Sequence, residues 1–308
     1  MRVALIGSGG VLGVHLAEAL ELRGYEVIRV SHSHSPGALT MDALCDDPTT
    51  VIAACDVVIY CAWATKNRDA SSQQLHADSA GRWASICNNQ NTKFLFLSTV
   101  LAAPSCLSNY GRYKYVAEKF VLEHKGVVLR VGLVADDAMP LLLTQLRNIT
   151  RRYKFVAHLA DWPIYPISST DFIEIICQQL SSPRNEHVIW VANRSPVPLS
   201  HAMVDFDQPK RLSEIVKYAL RLVGKIPLRN GKLGWLLDGW AGITSCSMGW
   251  KDCDDPVSPE PEDMNWRFCL SPYTYASDSN ANHVHLPDSQ MTKSTALTFD
   301  ASLHPRHK

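Results

Sequence analysis

Two rhythms of apolar and polar positions alternate along the first 135 residues. Short unbroken apolar runs read as strands buried on both faces: 2–6, 25–30, 57–62, 94–98 and 126–131. Between them lie stretches with apolar residues three and four apart, the spacing of a helix with one buried face. The first is about 10–23, with Leu12, Leu16, Ala17 and Leu20 on one side and Gly24 placed to end it. Others are expected over 70–88 and 113–124, with a short helical piece after Asp42 and a polar loop over 31–37. Strand and helix in strict alternation predict an α/β fold, a doubly wound parallel sheet with helices on both faces.

Beyond about residue 135 the alternation loosens. Helices are expected over 140–152, over 172–180 behind a cap at Asp171, and over 211–223, with a strand over 187–191. The organisation expected is a nucleotide-binding core over 1–135, to which 165–195 returns. A small substrate-binding region over 136–164 and 196–245 follows, then a tail over 246–308. Residues 251–308 hold six prolines, many Ser, Asp and His, and few large aliphatic residues, which leaves that tail little capacity to form a core.

The bulk numbers exclude several classes. Thirty basic residues balance thirty acidic ones, so no global field draws the chain to nucleic acid or to an anionic membrane. No apolar stretch approaches the roughly 20 residues of a membrane helix, and the N-terminal apolar run is too short for a signal peptide. Nine cysteines without a CxxC pair read as thiols in a reducing compartment rather than a disulfide framework or a metal site. The cytoplasm is the expected location. His32 and His34 lack a third ligand at matching spacing, so no metal is expected.

The first chemical signal is the turn between the first strand and the first helix. Gly7-Ser8-Gly9-Gly10-Val11-Leu12-Gly13 forms a GxxGxxG frame. A strand that runs straight into a helix leaves N–H groups exposed at the helix start, and these suit a pyrophosphate. Side chains at the bend would hold the phosphates off, hence glycine. Among sixteen glycines a chance frame is common, and a plain strand–turn–helix is the alternative. The flanking strand and helix favour a dinucleotide site in a Rossmann-type fold.

The second signal lies after the strand 94–98. Ligands of open parallel sheets sit beyond the carboxyl ends of the strands, so Thr99 points a hydroxyl toward such a site. Tyr110-Gly111-Arg112-Tyr113-Lys114 then places a phenol and an ammonium four apart, on one helix face. A phenol with a pKa of about 10 is a poor base near neutrality, and a neighbouring ammonium favours its ionised form. That pair can pass a proton to or from a carbonyl or carbinol oxygen. A second pair, Tyr115 with Lys119, reads as a helix face with Glu118 and Lys119 in solvent.

The ordered set resembles the short-chain dehydrogenase/reductase superfamily, in its extended and atypical, epimerase/dehydratase-like branch. It is carried by Gly7, Gly10 and Gly13, Asp42, 56–62, 94–99, Tyr110 to Lys114 with Glu118, 129–132 and 164–171, over roughly residues 1–225. The resemblance implies that Thr99, Tyr110 and Lys114 fill the catalytic positions and that Lys114 also holds the nicotinamide ribose. It further implies that Asp42 contacts the adenine and that Cys61 and Ala62 line the cofactor. A homodimer is an assembly it brings in, since helices of the family often pair, although the sequence does not set the oligomeric state. Three departures matter. Asp78-Ser79-Ala80-Gly81 stands where the family often has asparagine, the loop from Thr99 to Tyr110 is short, and Val100-Leu101 offers no proton for a dehydration.

An acidic residue at the end of the second strand would bind the ribose hydroxyl of NAD. Here Ser31-His32-Ser33-His34 stands instead, which favours NADP, with NAD as the alternative and a solvated loop as the plainer reading. The expected activity is hydride transfer between a nicotinamide and a carbonyl or alcohol carbon of a small molecule, such as a sugar or nucleotide sugar. The alternatives are an NAD-dependent epimerase and a cofactor-sensing protein without turnover.

Overall fold

The computed structural model describes residues 1–64, 69–135, 163–182, 188–192, 197–198 and 265–266. The expected helices at 140–152 and 211–223 lie outside the described residues.

Among the described residues, eight parallel strands form the main sheet. In chain order they are β1 (Arg2–Ile6), β2 (Glu26–Ser31), β3 (Leu39–Thr40), β4 (Val57–Tyr60), β5 (Lys93–Thr99), β6 (Val127–Val131), β10 (Val188–Val191) and β12 (Asn265–Trp266). Across the sheet they run β12-β10-β6-β5-β4-β1-β2-β3. The chain winds outward from β1 through β2 to β3, then returns to the other side of β1 with β4. The reversal opens a crevice at the carboxyl ends of β1 and β4, the usual place for a ligand in such a sheet. Two small sheets accompany it: β7 (Leu133–Ala135) with β9 (Pro166–Ser168), and β8 (Pro163–Ile164) with β11 (Val197–Pro198). The doubly wound parallel sheet is the architecture that the alternation of segments predicts.

Side chains sort onto the two faces with the period of two that strand geometry demands. Val3, Leu5, Val57, Ile59, Leu95 and Leu97 point one way, toward α1 (Val11–Leu22) and α5 (Ser169–Ser181). Ala4, Ile6, Val58, Tyr60, Phe94 and Phe96 point the other way, toward α2 (Thr49–Ala53), α3 (Ala70–Asn89) and α4 (Asn109–Glu123). Both faces are covered, which is why the strands read as unbroken apolar runs.

Three boundaries differ from expectation. The helix expected from 113 begins at Asn109, because Ser108 accepts a hydrogen bond from Gly111 N and caps it. The helix expected from 172 begins at Ser169. Its cap is Ser168 rather than Asp171, and the two hold each other reciprocally: Ser168 Oγ accepts from Asp171 N at 3.0 Å and donates to Asp171 Oδ2 at 2.5 Å. The short helix expected just after Asp42 comes later, at Thr49, because the Asp42 carboxylate closes a turn on Leu44 N.

A further correction concerns Glu118. Rather than lying in solvent, it is fully buried and bonded to Arg130 of β6, with Arg130 Nη2 2.6 Å and Nε 3.0–3.1 Å from its oxygens. Ser98 of β5 donates to the same carboxylate at 2.5 Å. Glu118→Gln leaves the Arg130 charge buried without its counter-ion, and a loss of about 3–5 kcal/mol is expected by urea unfolding. Arg29→Ala, which breaks the partly exposed pair with Glu21, is expected to cost under about 1 kcal/mol in the same assay.

Candidate active site at the strand ends

The glycine frame divides into positions with different physical reasons. Gly7 has φ +91° and lies against the segment after β4, so that a Cβ there would meet Ala62 N at 2.7 Å. Gly13 lies on the bend itself, where a Cβ would meet Gly7 O at 2.2 Å. These two glycines are required by the fold alone. Gly10 is not: its φ is −75°, and the nearest atom to a Cβ there is Gly7 O at 3.4 Å. Among the described residues nothing asks for glycine at this position, whereas a phosphate approaching the backbone would.

The helix behind it agrees. Asp69, Ser108 and Ser168 cap α3, α4 and α5 with side-chain oxygens. Helix α1 begins at Gly10 with no side-chain cap, so its first N–H groups are left without a side-chain acceptor. Gly9, Gly10 and Val11 are exposed, while Ser8 is buried and donates to Val30 O at 3.0 Å. Leu12 is half-buried against the core. The bend and the uncapped helix start therefore fit a dinucleotide pyrophosphate.

Around this bend the other expected cofactor residues take distinct places. Ser31 ends β2, buried, with its hydroxyl beside Gly9: a Cβ on Gly9 would meet Ser31 Oγ at 2.4 Å. His32 is exposed, with Nδ1 3.8 Å from Asp42 Oδ2. The residues directly after β2, His32-Ser33-His34, include no acidic one; the carboxylate near His32 comes from Asp42, just past β3. The Asp42 carboxylate accepts from Leu44 N at 2.9 Å, and that bond is the main reason its pKa is held below the ordinary range. Cys61 is turned inward, its thiol donating to Ile6 O at 2.9 Å, and burial pushes its pKa up to about 12. Ala62 forms the floor beneath Gly7.

Thr99 closes β5 with its hydroxyl oxygen accepting from Leu101 N at 3.3 Å, which leaves the hydroxyl hydrogen to donate elsewhere. Tyr110 and Lys114 share a face of α4, with Lys114 Nζ 5.8 Å from the Tyr110 ring centroid. The ammonium donates to Leu97 O at 2.7 Å and faces the rings of Trp63 at 4.0 Å and Phe96 at 4.5 Å. Lys114 is 2% exposed. Desolvation lowers its pKa to about 7, with Cys61 and Glu118 pulling the other way. The Tyr115–Lys119 pair is also in contact, Nζ lying 4.7 Å from the ring, with Tyr115 buried.

Trp63, Gln73 and His76 were not singled out by the sequence. Trp63 Nε1 donates to Gln73 Oε1 at 2.7 Å, Gln73 Nε2 donates to Ala64 O at 3.3 Å, and Ala64 N donates to His76 Nε2 at 3.2 Å. These bonds fasten the segment after β4 to α3. Their signal was available: polar residues at 73 and 76 share the helix face with Ala77 and Ala80, which are core positions. Asp78, at the place where the resemblance has asparagine, accepts from Gln74 at an exposed position.

Gly10→Ala and Gly13→Ala separate the two kinds of glycine. Gly10→Ala is expected to keep the melting temperature while weakening dinucleotide binding at least tenfold. Gly13→Ala is expected to lower the melting temperature or prevent folding. Calorimetric melts and fluorescence titration with NADPH check both.

Comparison with known proteins gives a consistent result. No family model matches the chain. A sterol-4-alpha-carboxylate 3-dehydrogenase, decarboxylating, of Dictyostelium discoideum is 27% identical, over 43% of this chain and 53% of that protein, so the chain spans about half its length. Among solved structures, a hypothetical dTDP-4-dehydrorhamnose reductase from Sulfolobus tokodaii superposes with TM-score 0.58 at 20% identity, over 69% of this chain and 86% of that one. The Bacillus anthracis dTDP-4-dehydrorhamnose reductase with NADP gives 0.58 at 17%, over 69% and 84%. MoeE5 with UDP-glucuronic acid and NAD gives 0.57 at 16%, over 80% and 100%. Among the described residues, no helix is long and apolar enough to cross a membrane. In its motif order and in its fold, this chain is similar to the extended, epimerase/dehydratase-like short-chain dehydrogenases/reductases.

Proposed function

We propose that the chain is an NADP-dependent oxidoreductase that reduces, or reversibly oxidises, a carbonyl or alcohol carbon of a small polar molecule such as a sugar or nucleotide sugar. The observation that carries this reading is the segment Cys61–Ala64. Ala62 packs under the glycine bend, and the next residue, Trp63, touches Tyr110 at 6.3 Å between ring centroids and Lys114 at 4.0 Å. A bend suited to phosphates and a phenol with a cationic neighbour thus meet at one crevice.

The uncapped start of α1 with Gly9, Gly10 and Val11 would hold the pyrophosphate. Ser31 and His32, in a stretch (Ser31-His32-Ser33-His34) that carries no acidic residue of its own, would accept the 2′-phosphate that distinguishes NADP. NADPH, when held there, would supply the hydride. In reduction, Tyr110 gives its proton to the carbonyl oxygen and Thr99 donates a hydrogen bond to that oxygen. The Lys114 ammonium stabilises the phenolate left behind, because opposite charge favours the ionised form. The neighbours bound to NAD or NADP, and the names of the reductase and epimerase relatives, support this class of chemistry.

Fluorescence titration is expected to give tighter binding for NADPH than for NADH. Equal or reversed affinities would remove the 2′-phosphate assignment. On a panel of carbonyl substrates, wild type is expected to consume NADPH stoichiometrically. Epimerisation would instead interconvert substrate with no net consumption. Tyr110→Phe is expected to lower kcat by about 10²–10⁴-fold. If both proteins are equally inert or equally active, the roles given to Tyr110 and Lys114 fail.

The pH dependence follows from Lys114. Its charged form is present below a pKa of about 7 and is lost above it. Carbonyl reduction, which needs that charge beside the nascent phenolate, is therefore expected to fall as pH rises through about 7. Lys114→Met is expected to be slow at every pH and to lack this inflection, as steady-state rates between pH 5.5 and 9 would show.

A further inference from the structure

Lys114 is an awkward residue to bury. A long, flexible ammonium with three N–H groups loses its water, and most buried lysines respond by giving up the proton. Here one N–H donation goes to Leu97 O, and the ammonium otherwise faces aromatic carbon. The nearest ring is that of Trp63, whose face is the strongest cation acceptor among the aromatic side chains. That indole is itself held: its N–H donates to Gln73, and its ring stacks on the His76 ring at 5.3 Å and 29°. Two turns of α3 therefore fix the surface on which the lysine of α4 rests.

We propose that Trp63 is the positioning residue of this site, its ring face holding the Lys114 ammonium charged and beside Tyr110, with Gln73 and His76 as the clamp on the indole. The inference rests on the reading that Tyr110 and Lys114 act together, and extends it to residues that touch neither substrate nor cofactor in that reading. Every titratable group packed round the ammonium enters the balance. From α4 these are Tyr110 and the Glu118 carboxylate, from the end of β4 the Cys61 thiol, and from α3 His76. Burial lowers the pKa of His76 to about 4, so its ring is neutral near pH 7 and does not compete with Lys114 for the indole. Glu118 favours the charged lysine from a turn away. Without the indole, those two influences remain and desolvation gains.

The test reads the lysine directly. Protein carrying 13C-labelled lysine is titrated by NMR, with the Lys114 signal identified from its absence in Lys114→Met. In Trp63→Leu, which keeps an apolar side chain but removes the quadrupole, the Lys114 midpoint is expected to fall by about one pH unit, roughly a tenfold change in protonation. Trp63→Phe is expected to restore part of it. Gln73→Met, which frees the indole without removing it, is expected to shift the midpoint in the same direction by less, and serves should Trp63→Leu not fold. The inflection in the reduction rate is expected to move with the NMR midpoint in each variant. An unchanged Lys114 midpoint in the Trp63 variants, or in Gln73→Met if those do not fold, overturns the proposal. A midpoint that moves in a protein that reduces no carbonyl overturns the proposed function instead, and leaves Trp63 as the residue that sets the charge of Lys114.

Discussion

The ion pair between Glu118 and Arg130 fixes the orientation on which the candidate site depends. Tyr110, Lys114 and Glu118 are spaced four apart on α4 and so lie along one stripe. Whatever holds Glu118 sets the rotation of the helix about its axis, and with it the direction of the other two. Arg130 reaches the carboxylate from β6 and Ser98 from β5, so the helix is tied to two neighbouring strands at once. A buried pair of this kind contributes little net stability, since both charges lose their water. Its effect is specificity: a slip of the helix by one residue would strand a carboxylate in the apolar layer of Phe94 and Phe96. The same carboxylate then acts at a distance as a counter-charge for Lys114.

A second constraint works from the other side of the crevice. Gly7 admits the backbone of Ala62 to within a distance no Cβ would allow, so the glycine bend and the end of β4 are nearly one surface. The polar side chains of α3 fasten the following residues in place through hydrogen bonds to the Trp63 indole and the Ala64 backbone. Helix α1 supplies a start without a side-chain cap, α3 supplies the clamp and α4 supplies the titratable pair. Each element brings one function, and the sheet sets their spacing.

Much of this was legible in the sequence because its causes are local. A strand covered on both faces must be apolar throughout, and a helix covered on one face must show its period, so β1, β4, β5, β6, α1 and α3 stand where the pattern puts them. Helix starts were less legible, since Ser108 and Ser168 act through geometry that a polar residue in a loop does not advertise. Glu118 looked exposed because glutamate on a helix usually is; only its partner, an arginine inside an apolar strand twelve residues later, betrays it. Gly10 could be counted but not distinguished from Gly7 and Gly13, for that distinction is a matter of what lies beyond the α-carbon. Trp63 was invisible as a site residue, because a tryptophan at a strand end is more often packing, and its neighbours come from two helices far apart in sequence.

The position of Lys114 shows why such a site needs more than its two reacting groups. An ammonium in water keeps its charge but wanders over many rotamers, and beside a phenol it would spend little time in the useful place. Burying it fixes its direction and strengthens its field, since the surroundings screen less. The same burial drives off the proton that makes the field. The chain offsets this with a carbonyl, two ring faces and a carboxylate one turn away, and the balance falls near pH 7, where a modest change in any of them decides the charge. Precision and charge are in conflict at this residue, and the aromatic wall is the feature that relieves the conflict without a competing hydrogen-bond acceptor that could pull the ammonium away from Tyr110.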